Sequence, residues 1–174
     1  IIFEFKMKLK IILLLIIIFN TNKFSAQDNY FVGFFAEKMN LSTPVGHAFI
    51  GIGNGVPLTC DINGNETEMF GFYPEVRLEG GKSIYAGPVN GKIKNDVMTK
   101  IDNYHYKKID FPNYLKVKLK IEEWKEKKYE LTKQDCISFF IDVAELFPDL
   151  IIPDRTKFTT PDEYVKDFIT VNKL

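Results

Sequence analysis

From residue 29 to residue 89, short runs rich in aromatic and β-branched side chains alternate with breaks that carry glycine, asparagine or proline. That rhythm leaves the chain little choice but an antiparallel meander. Residues 29–36, Asn-Tyr-Phe-Val-Gly-Phe-Phe-Ala, read as a buried strand. Residues 45–52 form a second strand that runs into Gly53-Asn54-Gly55, and Asn-Gly is a strong signal for a two-residue hairpin turn, because both turn positions need positive φ. Residues 56–62 are its expected return strand, with further strands at 67–73, stopped by Pro74, and at 83–89, bounded by glycines.

The texture changes at residue 95. Residues 96–104 predict a short helix, 114–121 alternate as a strand, and 122–128 form a charged helical turn. The clearest helix opens at Thr132-Lys133-Gln134-Asp135, which resembles a capping box. It carries Ile137, Phe140, Ile141 and Ala144 at helical spacing and stops at Pro148. A last short helix follows Thr160-Pro161-Asp162, since proline suits the first helical position. With 174 residues and no internal repeat or low-complexity linker, the expectation is one domain of class α+β.

The first segment reads as an address. Met7, Lys8 and Lys10 precede an apolar run at 11–19, followed by polar residues and Ser25-Ala26-Gln27, the order of a secretory signal peptide. The apolar run rises only about 14 Å as a helix, roughly half a bilayer core, so no permanent membrane anchor is expected. Met7 is the expected initiator, and cleavage after Ala26 or Gln27 leaves a domain over 28–174 in the periplasm or outside the cell. Export also carries the two cysteines, Cys60 and Cys136, into an oxidising compartment where a disulfide between them is open to them. The 23 basic and 23 acidic side chains cancel and only Arg77 and Arg155 offer a guanidinium, so nucleic acid is excluded as a partner.

Chemistry has few carriers. His47 lies inside the second expected strand, whereas His105, between Tyr104 and Tyr106, reads as a surface residue. Cys136 falls near the start of the capped helix, where the positive end of the macrodipole stabilises a thiolate and backbone N–H groups can face an oxyanion. The bland alternatives are a buried apolar cysteine beside Phe139, Phe140 and Val143, or half of a disulfide. Two cysteines and one strand histidine lack the tight spacing of a metal motif, and no cofactor is expected.

Asp135-Cys136-Ile137-Ser138-Phe139-Phe140-Ile141 resembles the Asp-Cys-x-x-Phe start of the catalytic helix in NlpC-type cell-wall cysteine endopeptidases, and the stretch from His47 to Gly55 resembles their histidine strand. The order is reversed, with His47 89 residues ahead of Cys136. That order is similar to the circularly permuted branch of the papain-like fold, which includes lecithin:retinol acyltransferase-type enzymes. Over residues 30–155 the resemblance implies an antiparallel sheet packed against a cysteine-bearing helix, and a hydrolase with Cys136 as nucleophile and His47 as base, then acid. It also implies a polar residue that orients the imidazole. A two-residue turn at Asn54-Gly55 would set Ile62 opposite His47, and a shift of one residue brings Asp61 or Asn63 there. Asp61 is the first choice for this role, with Asn63, Glu68 and Glu75 as alternatives.

The implied substrate is an amide in a peptidoglycan peptide, with hydrolysis or transfer of a lipid acyl ester as the alternative. A third outcome is a non-catalytic exported binding domain held by a Cys60–Cys136 disulfide, since Cys60 would share the His47 face in this register. A lipid acyl substrate calls for an apolar groove near Cys136, a peptide for a narrower and more polar cleft. Phe70, Phe72 and Tyr73 serve either a groove or the core.

Overall fold

A computed structural model describes residues 29–41, 44–55, 67–75, 88–96, 100–156 and 159–173. The leader-like segment, the expected strand at 56–62, and with it Cys60, Asp61 and, just beyond, Asn63, lie outside the described residues. Strands β1 (Tyr30–Glu37), β2 (His47–Asn54), β3 (Glu68–Pro74) and β4 (Val89–Asn95) form the expected antiparallel meander. β5 (Asn103–Ile109) returns across the sheet to pair with β1, and the short β6 (Lys128–Tyr129) adds to β4, giving the order β5-β1-β2-β3-β4-β6.

β2 pairs with β1 on one edge and with β3 on the other, and the residue opposite His47 on β1 is Glu37, while Ile62 lies outside the described residues. Strand β4 runs from Val89 to Asn95, and most of the strand expected at 83–89 lies outside the described residues.

Three local readings are corrected by tertiary context. No helix occupies the described part of 96–104, because Asn103 opens β5 and its residues pair one for one with β1. Residues 114–121 are not a strand but the centre of helix α1 (Phe111–Trp124). Asp110 caps this helix by accepting the N–H of Asn113, and Pro112 sits in its first turn, where a missing donor costs nothing. The winding gathers Val117, Ile121 and Trp124 on one buried face, a spacing of four and three residues, and leaves Leu115 and Leu119 exposed. Helix α2 (Cys136–Ala144) starts at the cysteine itself, three residues later than expected, and ends ahead of Pro148. Thr132 cannot be its cap, since its φ of 70° is left-handed. Helix α3 (Pro161–Val171) has the expected start, with a reciprocal capping box between Thr160 and Glu163.

Strand alternation sends successive side chains to opposite faces. Val32, Phe34, Ala36, Ala48, Ile50 and Ile52 face the helices and are fully buried. Phe34 meets Phe140 of α2 and Phe168 of α3, each with ring centroids 5.1 Å away. Burying a side chain of this size stabilises the fold by roughly 1.5–3 kcal/mol. The other face carries a smaller cluster of Phe35, Phe49 and Met69, flanked by Tyr106.

Candidate active site

His47 opens β2, and its ring belongs to a file of aromatic rings laid across four strands. Tyr106 meets Phe35 edge-on at 5.4 Å, Phe35 stacks on Phe49 at 5.3 Å, Phe49 on His47 at 5.8 Å, and His47 on Tyr73 at 4.2 Å. The imidazole is thereby held in one plane, and it is only 4% exposed. A buried polar ring needs partners, and it has them. Nε2 lies 3.1 Å from Oδ2 of Asp96, a residue as buried as itself. The other oxygen of that carboxylate accepts the Tyr73 hydroxyl at 2.6 Å. The Cys136 thiol lies close enough to the imidazole to raise its proton affinity.

Asp96 reaches this position because it lies one residue past β4, where its N–H still donates to the Met69 carbonyl across β3. Room for the pair comes from Gly71 of β3: a Cβ there would fall on Asp96 Oδ2 and His47 Nε2. Burial by itself lowers the proton affinity of the imidazole, but the hydrogen bonds to Asp96 and Cys136, with the attraction of both groups, outweigh it and raise the pKa to about 9.

Cys136 arrives from the helical layer as the first residue of α2, with its thiol free and 5% exposed. Cys60 lies outside the described residues. The turn before α2 is elaborately held. Asp135 caps the helix by accepting the N–H groups of Ile137 and Ser138, and its second oxygen accepts the N–H of Thr132 at 2.9 Å. That oxygen also takes the Arg155 guanidinium at 2.6 Å, while the guanidinium's other arm donates to Ser138 Oγ at 3.0 Å. Backbone strain at Thr132 is thus offset by the carboxylate that also sets the first turn of α2.

Tyr129 borders the same site. Burial, with the negative charge of Cys136 and Asp135 nearby, pushes its hydroxyl pKa up, so it stays a neutral donor. A cleft of about 160 Å³ opens on Cys136 between Tyr129, Leu131, Ile137 and the β1–β2 connection.

The structure thus brings together Cys136 and His47 but gives the orienting position to Asp96, which the sequence reading did not name. Asp61 and Asn63 lie outside the described residues. Of the remaining candidates, Glu68 reaches away to Lys118 at 2.7 Å, and Glu75 sits past the end of β3, its N–H donating to the Asn90 carbonyl. Asp96 was hidden because 96–104 read as a helix, in which an acid in the first turn needs no further explanation. A usable signal was present: read as strand, Lys92-Ile93-Lys94-Asn95-Asp96 puts the acid at a strand end, where side chains converge from neighbouring strands. Tyr73 belongs to the site, whereas Phe72 is core. His105 is half-buried rather than surface, edge-on to Phe168 at 5.8 Å, and burial together with Lys107 holds its pKa below the usual imidazole value. Among the described residues, no three histidine, cysteine or acidic side chains cluster to hold a metal. Comparison with protein-family models, with curated proteins and with solved structures finds no match for this chain.

Proposed function

We propose that the protein is an exported thiol hydrolase that opens an acyl bond through an acyl-enzyme on Cys136, in the manner of the permuted papain-like enzymes its motifs resemble. One observation carries this reading: a buried imidazole hydrogen-bonded to a carboxylate and within electrostatic reach of a thiol at a helix N-terminus. Asp96 fixes the ring and its tautomer. A group that binds protons up to about pH 9 takes the thiol proton readily and keeps it until a leaving group needs it.

Sγ then attacks the carbonyl carbon, forming a C–S bond while the carbonyl π electrons move onto oxygen. The Cys136 backbone N–H is not among those the Asp135 cap engages, and with the Tyr129 hydroxyl it is a donor for that oxyanion. Collapse expels the leaving group, which takes its proton from His47. A water, deprotonated by the neutral imidazole, attacks the thioester and releases the acid and the thiol.

An amide in a cell-wall peptide is the substrate suggested by the leader-like segment and the motif resemblance. The apolar lining of the cleft favours the second reading, an acyl ester.

Mature protein purified without reductant, alkylated with iodoacetamide and weighed with and without prior reduction, tests the proposal. Expected are a free Cys136 that alkylates at pH 7 and a loss of at least about tenfold in that rate in His47→Ala. A Cys60–Cys136 bond that leaves no free thiol and reforms after reduction overturns it in favour of the binding domain.

A further inference from the structure

The wall of the cleft at Cys136 is the least polar surface near the candidate nucleophile. Met39 and Val45, at the two ends of the β1–β2 connection, face Leu131, Tyr129 and Ile137 across it. The two charges in the wall, Asp135 and Arg155, are bonded to each other at 2.6 Å, with side chains 3% and 13% exposed, and the guanidinium Nε is buried with no hydrogen-bond partner. Cavities of about 150 Å³ lined by aliphatic and aromatic side chains stay dry and take a six-carbon ring. The cleft here measures about 160 Å³. At its mouth Met39 is 57% exposed and Val45 40% exposed, with Leu41 fully exposed beside them. An apolar group therefore enters the cleft between apolar side chains.

We infer that this cleft binds a compact apolar group of about six to eight carbons, and, resting on the thiol-hydrolase reading, that this group is the acyl side of the scissile bond. Two sources supply the required chemistry, a medium-chain acyl ester or thioester and a peptide with an apolar residue at the cleaved position.

The experiment separates the cleft from the reaction. Protection of Cys136 from iodoacetamide is measured in the mature protein with acetamide, butyramide, hexanamide and octanamide, and with adipamic acid as the charged control. Half-protecting concentrations are expected to fall by about fourfold per added methylene up to hexanamide, with no gain from the acidic analogue. Met39→Glu, at a site exposed enough to leave the fold intact, should abolish the dependence on chain length. Equal protection at every length, or better protection by the acidic analogue, overturns the inference.

Incubation with a hexanoyl thioester and with acetyl-leucyl-alanine amide, followed by intact mass, then shows which acyl group remains on Cys136 and so which source applies. Chain-length-dependent protection without any acyl-enzyme upholds the apolar occupant and overturns the thiol-hydrolase reading instead.

Discussion

The two faces of the sheet are built on opposite principles. On the helical face the contacts are interchangeable in kind: Phe34, Ile50, Phe140 and Phe168 are all apolar, all fully buried, and held by shape and area alone. On the other face the file Tyr106, Phe35, Phe49, His47 and Tyr73 ends in a polar network in which each atom has one acceptable partner. The first face tolerates exchange of one hydrophobe for another; the second, with its paired buried polar groups, tolerates little. Cys136 joins them, since it belongs to the helical core yet bonds the imidazole.

The separation can be attacked from both sides. Phe140→Ala, deep in the helical face, should cost about 3–5 kcal/mol of unfolding free energy in a urea titration while leaving the alkylation rate of Cys136 in the still-folded protein within about threefold of normal. Gly71→Ala should do the reverse. Its new methyl displaces Asp96 from His47, so turnover of a thioester should fall by on the order of 10²-fold with a much smaller shift in the urea midpoint. If Gly71→Ala keeps full turnover, Asp96 does not position the imidazole. Asp96→Asn should match Gly71→Ala in rate, which separates the lost contact from any backbone effect of alanine.

A smaller effect appears in the pH dependence of stability. His47 binds its proton up to about pH 9 in the fold against 6.5 in the unfolded chain. The folded state binds that proton more tightly, so this contribution to stability is complete below about pH 6.5, declines as the pH rises towards 9, and is absent above it. Urea midpoints of the native protein should fall across that window, and Asp96→Asn should flatten the fall. An unchanged slope in the variant would detach Asp96 from the raised affinity.

The smallest effect belongs to Glu68, whose pairing with Lys118 is largely in solvent. Glu68→Ala should change stability by less than about 1 kcal/mol and leave turnover as it was. A loss of turnover there would restore Glu68 as a candidate for the orienting role.

The sequence by itself determined whatever depends on near neighbours along the chain. The aromatic runs marked strands β1, β2 and β3, and Thr160-Pro161 the start of α3, because strand period and caps act over a few residues, whereas the partner of β2 is β3 and not the return strand expected at 56–62. It also singled out His47 and Cys136, since a scarce histidine within a strand and a cysteine behind a capping acid are visible one residue at a time. Alternation in 114–121 misled because Val117 and Ile121 fit both periods, and only Asp110 and Pro112 ahead of them decide for a helix.

Only the tertiary structure could assign Asp96. Its place depends on β4 pairing with β3 so that Asp96 meets Met69, and on a glycine at 71 to leave the space. The same holds for Arg155, which neutralises the helix cap from 20 residues away. Partners of buried polar groups are set by which strands and loops come together in space, and loop closure over such distances depends little on the residues in between.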